Sequence, residues 1–127
     1  MKKNANSPLR PVGFWREHCS DIFPSIFDAE IKNMEISDLD KINNYLVNSP
    51  ICVASPGIVH SAFNKDRIVG TSSIRTDGRW VWHDTLPYYV REHGIALPQE
   101  FLEHMRHRNY VPPREDEVEM EELIFPW

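Results

Sequence analysis

The sequence predicts an α+β fold: a single domain with an antiparallel β-sheet, a meander, flanked by helices. Three observations carry that expectation. Between residues 51 and 83, short β-branched and aromatic runs alternate with turn clusters at Ser55-Pro56-Gly57, Asn64-Lys65-Asp66 and Asp77-Gly78. Before and after that stretch, apolar residues recur at helical spacing, at Leu39, Ile42, Tyr45 and Leu46 and again at Phe101, Leu102 and Met105. The chain of 127 residues is 41% hydrophobic and 26% charged, which suits one domain with a core of its own.

Taken in order, residues 1–12 are polar, carry Pro8 and Pro11, and are expected to be a flexible N-terminal segment ahead of a single domain over 13–127. Phe14, Trp15, Ile22, Phe23, Ile26 and Phe27 make residues 13–30 strongly apolar. Pro24 interrupts them, so irregular or broken helical structure packed on the core is expected. Ser37 caps a helix whose early acids, Asp38 and Asp40, suit the positive end of its dipole, and Asn48-Ser49-Pro50 ends it. Strands are then expected over 51–54, 58–63, 68–75 and 79–83. Asp77-Gly78 supplies the positive φ values of a two-residue hairpin turn before the last of them. A helix over 87–93 is capped by Asp84 or Thr85 and stopped by Gly94. A second, over 98–107, opens on Pro98 and ends before Val111-Pro112-Pro113. The chain closes on Leu123-Ile124-Phe125-Pro126-Trp127, too apolar to float free. Alternation at Val118 and Met120 suggests a late strand pairing with the sheet.

Charge is concentrated. The segment 115–122 holds six acids and no base; without them the net charge of −5 becomes one unit positive. A local negative field repels nucleic acid and attracts basic proteins, so direct binding of DNA or RNA is not expected. No apolar run approaches the roughly 20 residues that span a bilayer. The N-terminus begins like the basic region of a signal peptide but no apolar stretch follows, so a cytoplasmic protein is expected. Cys19 and Cys52 are then read as two reduced, buried thiols.

No set of residues forms a convincing reactive constellation. His104 and His107, three apart on a helix with Glu100 and Glu103 close by, have a spacing that lets two ligands face one metal. No HExxH pattern or third ligand accompanies them, and a solvated polar helix face is the simpler reading. His18-Cys19 and Cys52…His60 lack the CxxC knuckles of a zinc site. Gly70-Thr71-Ser72-Ser73 lacks the spaced glycines and lysine of a phosphate loop, so Gly70 marks a bulge or a close backbone approach. Catalytic, metal and cofactor residues are therefore expected to be none.

Trp80 and Trp82 alternate with polar Arg79 and His83, as in a sheet with one wet face. Core packing is the ordinary reading of such a pair. Trp82 and Tyr88 are also the candidate aromatic anchors for a protein partner. The acids Glu115, Asp116, Glu117, Glu119, Glu121 and Glu122 have a plain reading as a solvated tail. The functional reading is mimicry, a row of carboxylates occupying a groove built for phosphates.

The run Thr76-Asp77-Gly78-Arg79-Trp80-Val81-Trp82, then Leu86-Pro87-Tyr88-Tyr89-Val90, then Leu97-Pro98-Gln99-Glu100-Phe101 and His104, resembles small bacterial immunity proteins of contact-dependent growth inhibition and other polymorphic toxin systems. The resemblance covers roughly residues 50–110 and leaves out the N-terminal third and the acidic segment. It implies a cytoplasmic, non-catalytic protein that binds one cognate toxin domain. Joined to the local acidity, it leads to the expectation of a basic nuclease domain blocked at its active site in a 1:1 complex with a monomer. Two other readings stand beside it: a small metal-dependent hydrolase built on His104 and His107, and a regulatory or scaffold module.

Overall fold

A computed structural model describes residues 7–127. All three expected helices begin and end close to the expected positions. Helix α1 spans Ile36–Asn48 and turns Ile42, Tyr45 and Leu46 to the core. Its N-cap is Glu35, with no side-chain capping bond, so Ser37 lies inside the first turn instead of capping it. Helix α2, Leu86–His93, stops at Gly94 in the left-handed conformation, φ 65°. Thr85 takes the N-cap position, one of the two expected, but makes no side-chain capping bond: its hydroxyl goes to His83 Nδ1 at 2.7 Å, and Asp84 turns back to Arg75 and Thr71. Helix α3, Gln99–His107, has Pro98 at its N-cap and ends on two successive positive-φ residues, Asn109 and Tyr110.

The strands are shorter and more divided than the sequence suggests. Strands β1 (Arg10–Val12), β2 (Ile51–Val53), β5 (Ile74–Thr76) and β6 (Trp80–His83) form one sheet in the order β1-β6-β5-β2. Strands β3 (Ile58–His60) and β4 (Ile68–Thr71) form a separate antiparallel pair. The single strand expected over 68–75 is thus broken at Ser72-Ser73, and its halves join different sheets. Gly70 sits opposite Val59 in β3, and a Cβ on it would come within 3.2 Å of the Asp84 carboxylate. The close approach inferred for this glycine is present.

Strand β1 was not anticipated; the expected flexible segment over 1–12 is described only from residue 7, and 10–12 are in the sheet. It runs parallel to β6, pairing Pro11 with Val81. The Arg10 amide bonds to the Arg79 carbonyl, so alternate residues face β6 and Pro11 presents its missing N–H to the open edge.

The hairpin between β5 and β6 closes in a different way from the expected two-residue turn. Gly78 takes φ 95°, but Asp77 does not have positive φ. Instead, Asp77 Oδ1 accepts from the amides of Arg79 (2.9 Å) and Trp80 (2.7 Å), tying the turn with a side chain.

Both faces of β6 are covered, which corrects the expectation of one wet face. Trp80 and Trp82 enter a core made with Ile42, Tyr45, Leu46, Phe101 and Met105 of the helices. Val81, fully buried, packs on the opposite face among Leu9, Phe14, Phe23, Leu123 and Phe125. The irregular segment 13–30 and the C-terminus supply that second layer, as their apolar content requires. The C-terminus adds no strand. It forms 3₁₀ turns at Glu115–Glu117 and Met120–Glu122 and, among the described residues, reaches the N-terminal segment through the bond from Leu9 N–H to Ile124 O at 2.8 Å. Alternation at Val118 and Met120 is reproduced by a turn that buries Val118 as well as a strand would.

Candidate functional site

The acidic segment is a strap with ordered ends. At its start the Arg114 amide donates to Glu117 Oε1 (2.8 Å) and the Arg114 guanidinium to Asp116 Oδ1 (3.1 Å). Val118 is buried against Gly78 at the hairpin tip. Leu123 and Phe125 anchor the far side in the Val81 cluster, and the Trp127 ring lies edge-on to Phe14, centroids 4.8 Å apart. Between these anchors Glu115, Asp116, Glu117, Glu121 and Glu122 are exposed and Glu119 is partly covered. Among the described residues Arg114 is the one base within ion-pair distance of the exposed five. Ile124 and Trp127, 42% and 50% exposed, border the carboxylates with apolar surface.

The two aromatic candidates fare differently. Trp82 is completely buried, its indole N–H directed to the Leu46 carbonyl at 3.3 Å, so it anchors the core and cannot contact a partner. Tyr88 is half-buried: its hydroxyl is bonded to His93 (2.9 Å) and Ser61 (3.3 Å), and the Arg67 guanidinium covers its ring at 5.0 Å. It belongs to another part of the surface from the strap.

His104 and His107 do not converge. His107 is exposed, while His104 Nε2 lies 3.1 Å from Oδ2 of Asp77. The two atoms are within hydrogen-bond distance, although the angle between them falls outside ordinary hydrogen-bond geometry. Glu100, expected beside it, is paired to Arg10 at 2.8 Å, and Glu103 accepts from Gln99. Among the described residues no three His, Cys, Asp or Glu side chains are grouped to hold a metal.

The sequence reading missed what Asp77 does. Its carboxylate is fully buried and also accepts from the Tyr45 hydroxyl at 2.7 Å. Burial alone would raise its pKa; His104, the Trp80 amide and Tyr45 outweigh burial and hold it below the usual carboxylate value. The spacing of a turn aspartate ahead of two tryptophans held no hint of a helix 32 residues upstream.

A second polar network was also missed. His83, 3% exposed, stacks on His18 with centroids 6.1 Å apart, and His18 Nε2 shares a 2.5 Å hydrogen bond with the Tyr89 hydroxyl. Tyr89 also accepts from the Ala62 amide at 3.0 Å. Burial, with His18 adding repulsion, pushes His83 down to about 4; burial lowers His18 as well. The cysteines stay free: Cys52 is half-buried, its thiol pushed up to about 11 by burial, and Cys19, expected to be buried, is exposed.

Comparison with protein-family models, with curated proteins and with solved structures found no match. Among the described residues no helix is long and apolar enough to cross a membrane.

Proposed function

We propose that this chain is an immunity protein, which binds and neutralises a cognate toxin domain in the cytoplasm of the cell that makes both. The toxin is a basic domain, of nuclease type, and the strap at 115–122 covers the cleft where it would hold phosphates. The observation that carries this reading is the anchored strap: a backbone held at Val118, Leu123 and Phe125 that presents exposed carboxylates, with exposed Ile124 and Trp127 beside them. Pre-ordering lowers the entropy lost on binding, and a concentrated negative field speeds capture of a basic partner. The resemblance of residues 50–110 to immunity proteins supports the same reading. The enzyme alternative has less support, because His104 faces a carboxylate occupied within the core and His107 faces solvent.

The test is a pull-down from the native host with this protein as bait, run in parallel with a Glu115→Gln/Glu121→Gln/Glu122→Gln variant. Recovery of a basic domain from a large secreted protein by the native chain is expected. Its association with the variant should be slower by roughly tenfold at low salt, with the difference fading as salt is raised. Recovery of a partner with no basic surface, or an unchanged association rate at low salt, would remove the strap from the mechanism.

A further inference from the structure

At the far end of β6 from the strap there is a cleft of about 610 Å³ between segment 13–30 and the β3–β4 pair. The two sites are separated by the strand itself: Val118 of the strap covers Gly78 before β6, whereas His18 of the cleft stacks on His83, its last residue. The volume lies within the roughly 300–1,000 Å³ usual for small-ligand sites.

The polar groups of the cleft divide into two sets. Glu17, His18 and Ser61 are committed internally. Both Glu17 oxygens accept, from the Ser25 hydroxyl (2.5 Å) and the Ile26 amide (2.8 Å). His18 is bonded to Tyr89, and Ser61 Oγ receives the Phe63 amide at 3.0 Å. In contrast, the His60 ring, the Lys65 ammonium and the Ser72 hydroxyl line the same cleft with no hydrogen bond or ion pair among the described residues. Every uncommitted group is therefore able to donate, and the acid of the lining already accepts at both of its oxygens. Beside the donors stand Ile58 and Phe27, 62% and 60% exposed, the second set edge-on to Phe63 with centroids 5.2 Å apart.

We propose that this cleft binds a small phosphorylated ligand with a flat aromatic body, of the mononucleotide class. Lys65 supplies the point charge for the phosphate, His60 and Ser72 supply N–H and O–H donors, and Phe27 supplies a ring on which a base stacks. The charge of Glu17 remains close by, so binding is modest in strength and sensitive to salt. This site is independent of the strap and of the toxin-binding reading.

The test is an amide chemical-shift titration of the full chain with AMP, using adenosine and inorganic phosphate as its two halves. AMP is expected to shift the amides of His60, Ser61, Ala62 and Lys65 and to saturate them by about 1 mM. Each half should bind at least roughly tenfold more weakly, as should AMP to the Lys65→Ala and Phe27→Ala variants. Both variants alter exposed side chains, and circular dichroism checks that they fold. Absence of saturable shifts, or unchanged AMP affinity in both variants, overturns the site. Adenosine binding as tightly as AMP overturns the phosphate assignment, and phosphate binding as tightly as AMP overturns the aromatic one.

Discussion

Acidification should unfold this protein through one buried imidazole. His83 is enclosed by β6 neighbours, by Phe14 edge-on, by the His18 ring and by the Thr85 hydroxyl, with Asp84 the acid that acts on it. Its pKa falls from an ordinary 6.5 to about 4, first because burial disfavours the charged ring and then because His18 repels it. The unfolded chain therefore takes up a proton at a pH where the folded chain does not. The stability that follows is complete above 6.5, declines as the pH falls, and is gone once the folded pKa near 4 is passed. At about 1.4 kcal/mol per unit, the loss across that window is about 3 kcal/mol. Urea unfolding followed by tryptophan fluorescence, at a series of pH values, measures it. A His83→Gln variant keeps a partner for Thr85 and cannot titrate, so its stability should fall by about 3 kcal/mol less than that of the native chain over the same interval. Parallel pH profiles for the two proteins would refute the reasoning, as would an imidazole titration placing His83 at or above 6.5.

Two further perturbations probe the frame around the sheet. Gly13 has φ 77°, and a Cβ there would lie 2.8 Å from Cδ1 of fully buried Leu86, so Gly13→Ala combines backbone strain with overpacking. Thermal unfolding should show a loss of roughly 2–4 kcal/mol, against about 1–2 kcal/mol for Gly94→Ala, where strain acts with less crowding. Tyr45→Phe leaves the buried Asp77 carboxylate without its 2.7 Å donor and should cost about 1–3 kcal/mol, measured by urea unfolding at neutral pH. Loss of less than about half a kcal/mol there would mean that the two amides and His104 satisfy Asp77 unaided.

The elements that the sequence determined by itself are those governed by neighbours in the chain. Helix α1 follows from its apolar spacing and ends where Ser49-Pro50 removes the next helical partner. Helix α2 ends at Gly94 because that residue alone enters the left-handed region without a Cβ clash. The α+β class, the hairpin at Asp77-Gly78 and the packing of Leu123 and Phe125 against the domain follow from the same local patterns. The position of the acids in sequence was legible too; their presentation as an anchored strap was not. That depends on Val118 meeting Gly78 and on Leu123 and Phe125 reaching Val81, contacts between segments some 40 residues apart.

Tertiary structure alone decided which polar residues are inside. Arg79 and His83 look equally polar beside the tryptophans, yet Arg79 is exposed and His83 is buried, because segment 13–30 folds over one end of the sheet and not the other. On the opposite face of the sheet, the three helices buried Trp82 and removed it from any partner surface. The parallel pairing of β1 with β6 joins residues 70 apart through a three-residue strand containing Pro11. A strand that short carries no period to read, and its register is held by the neighbours it finds only after the chain has collapsed.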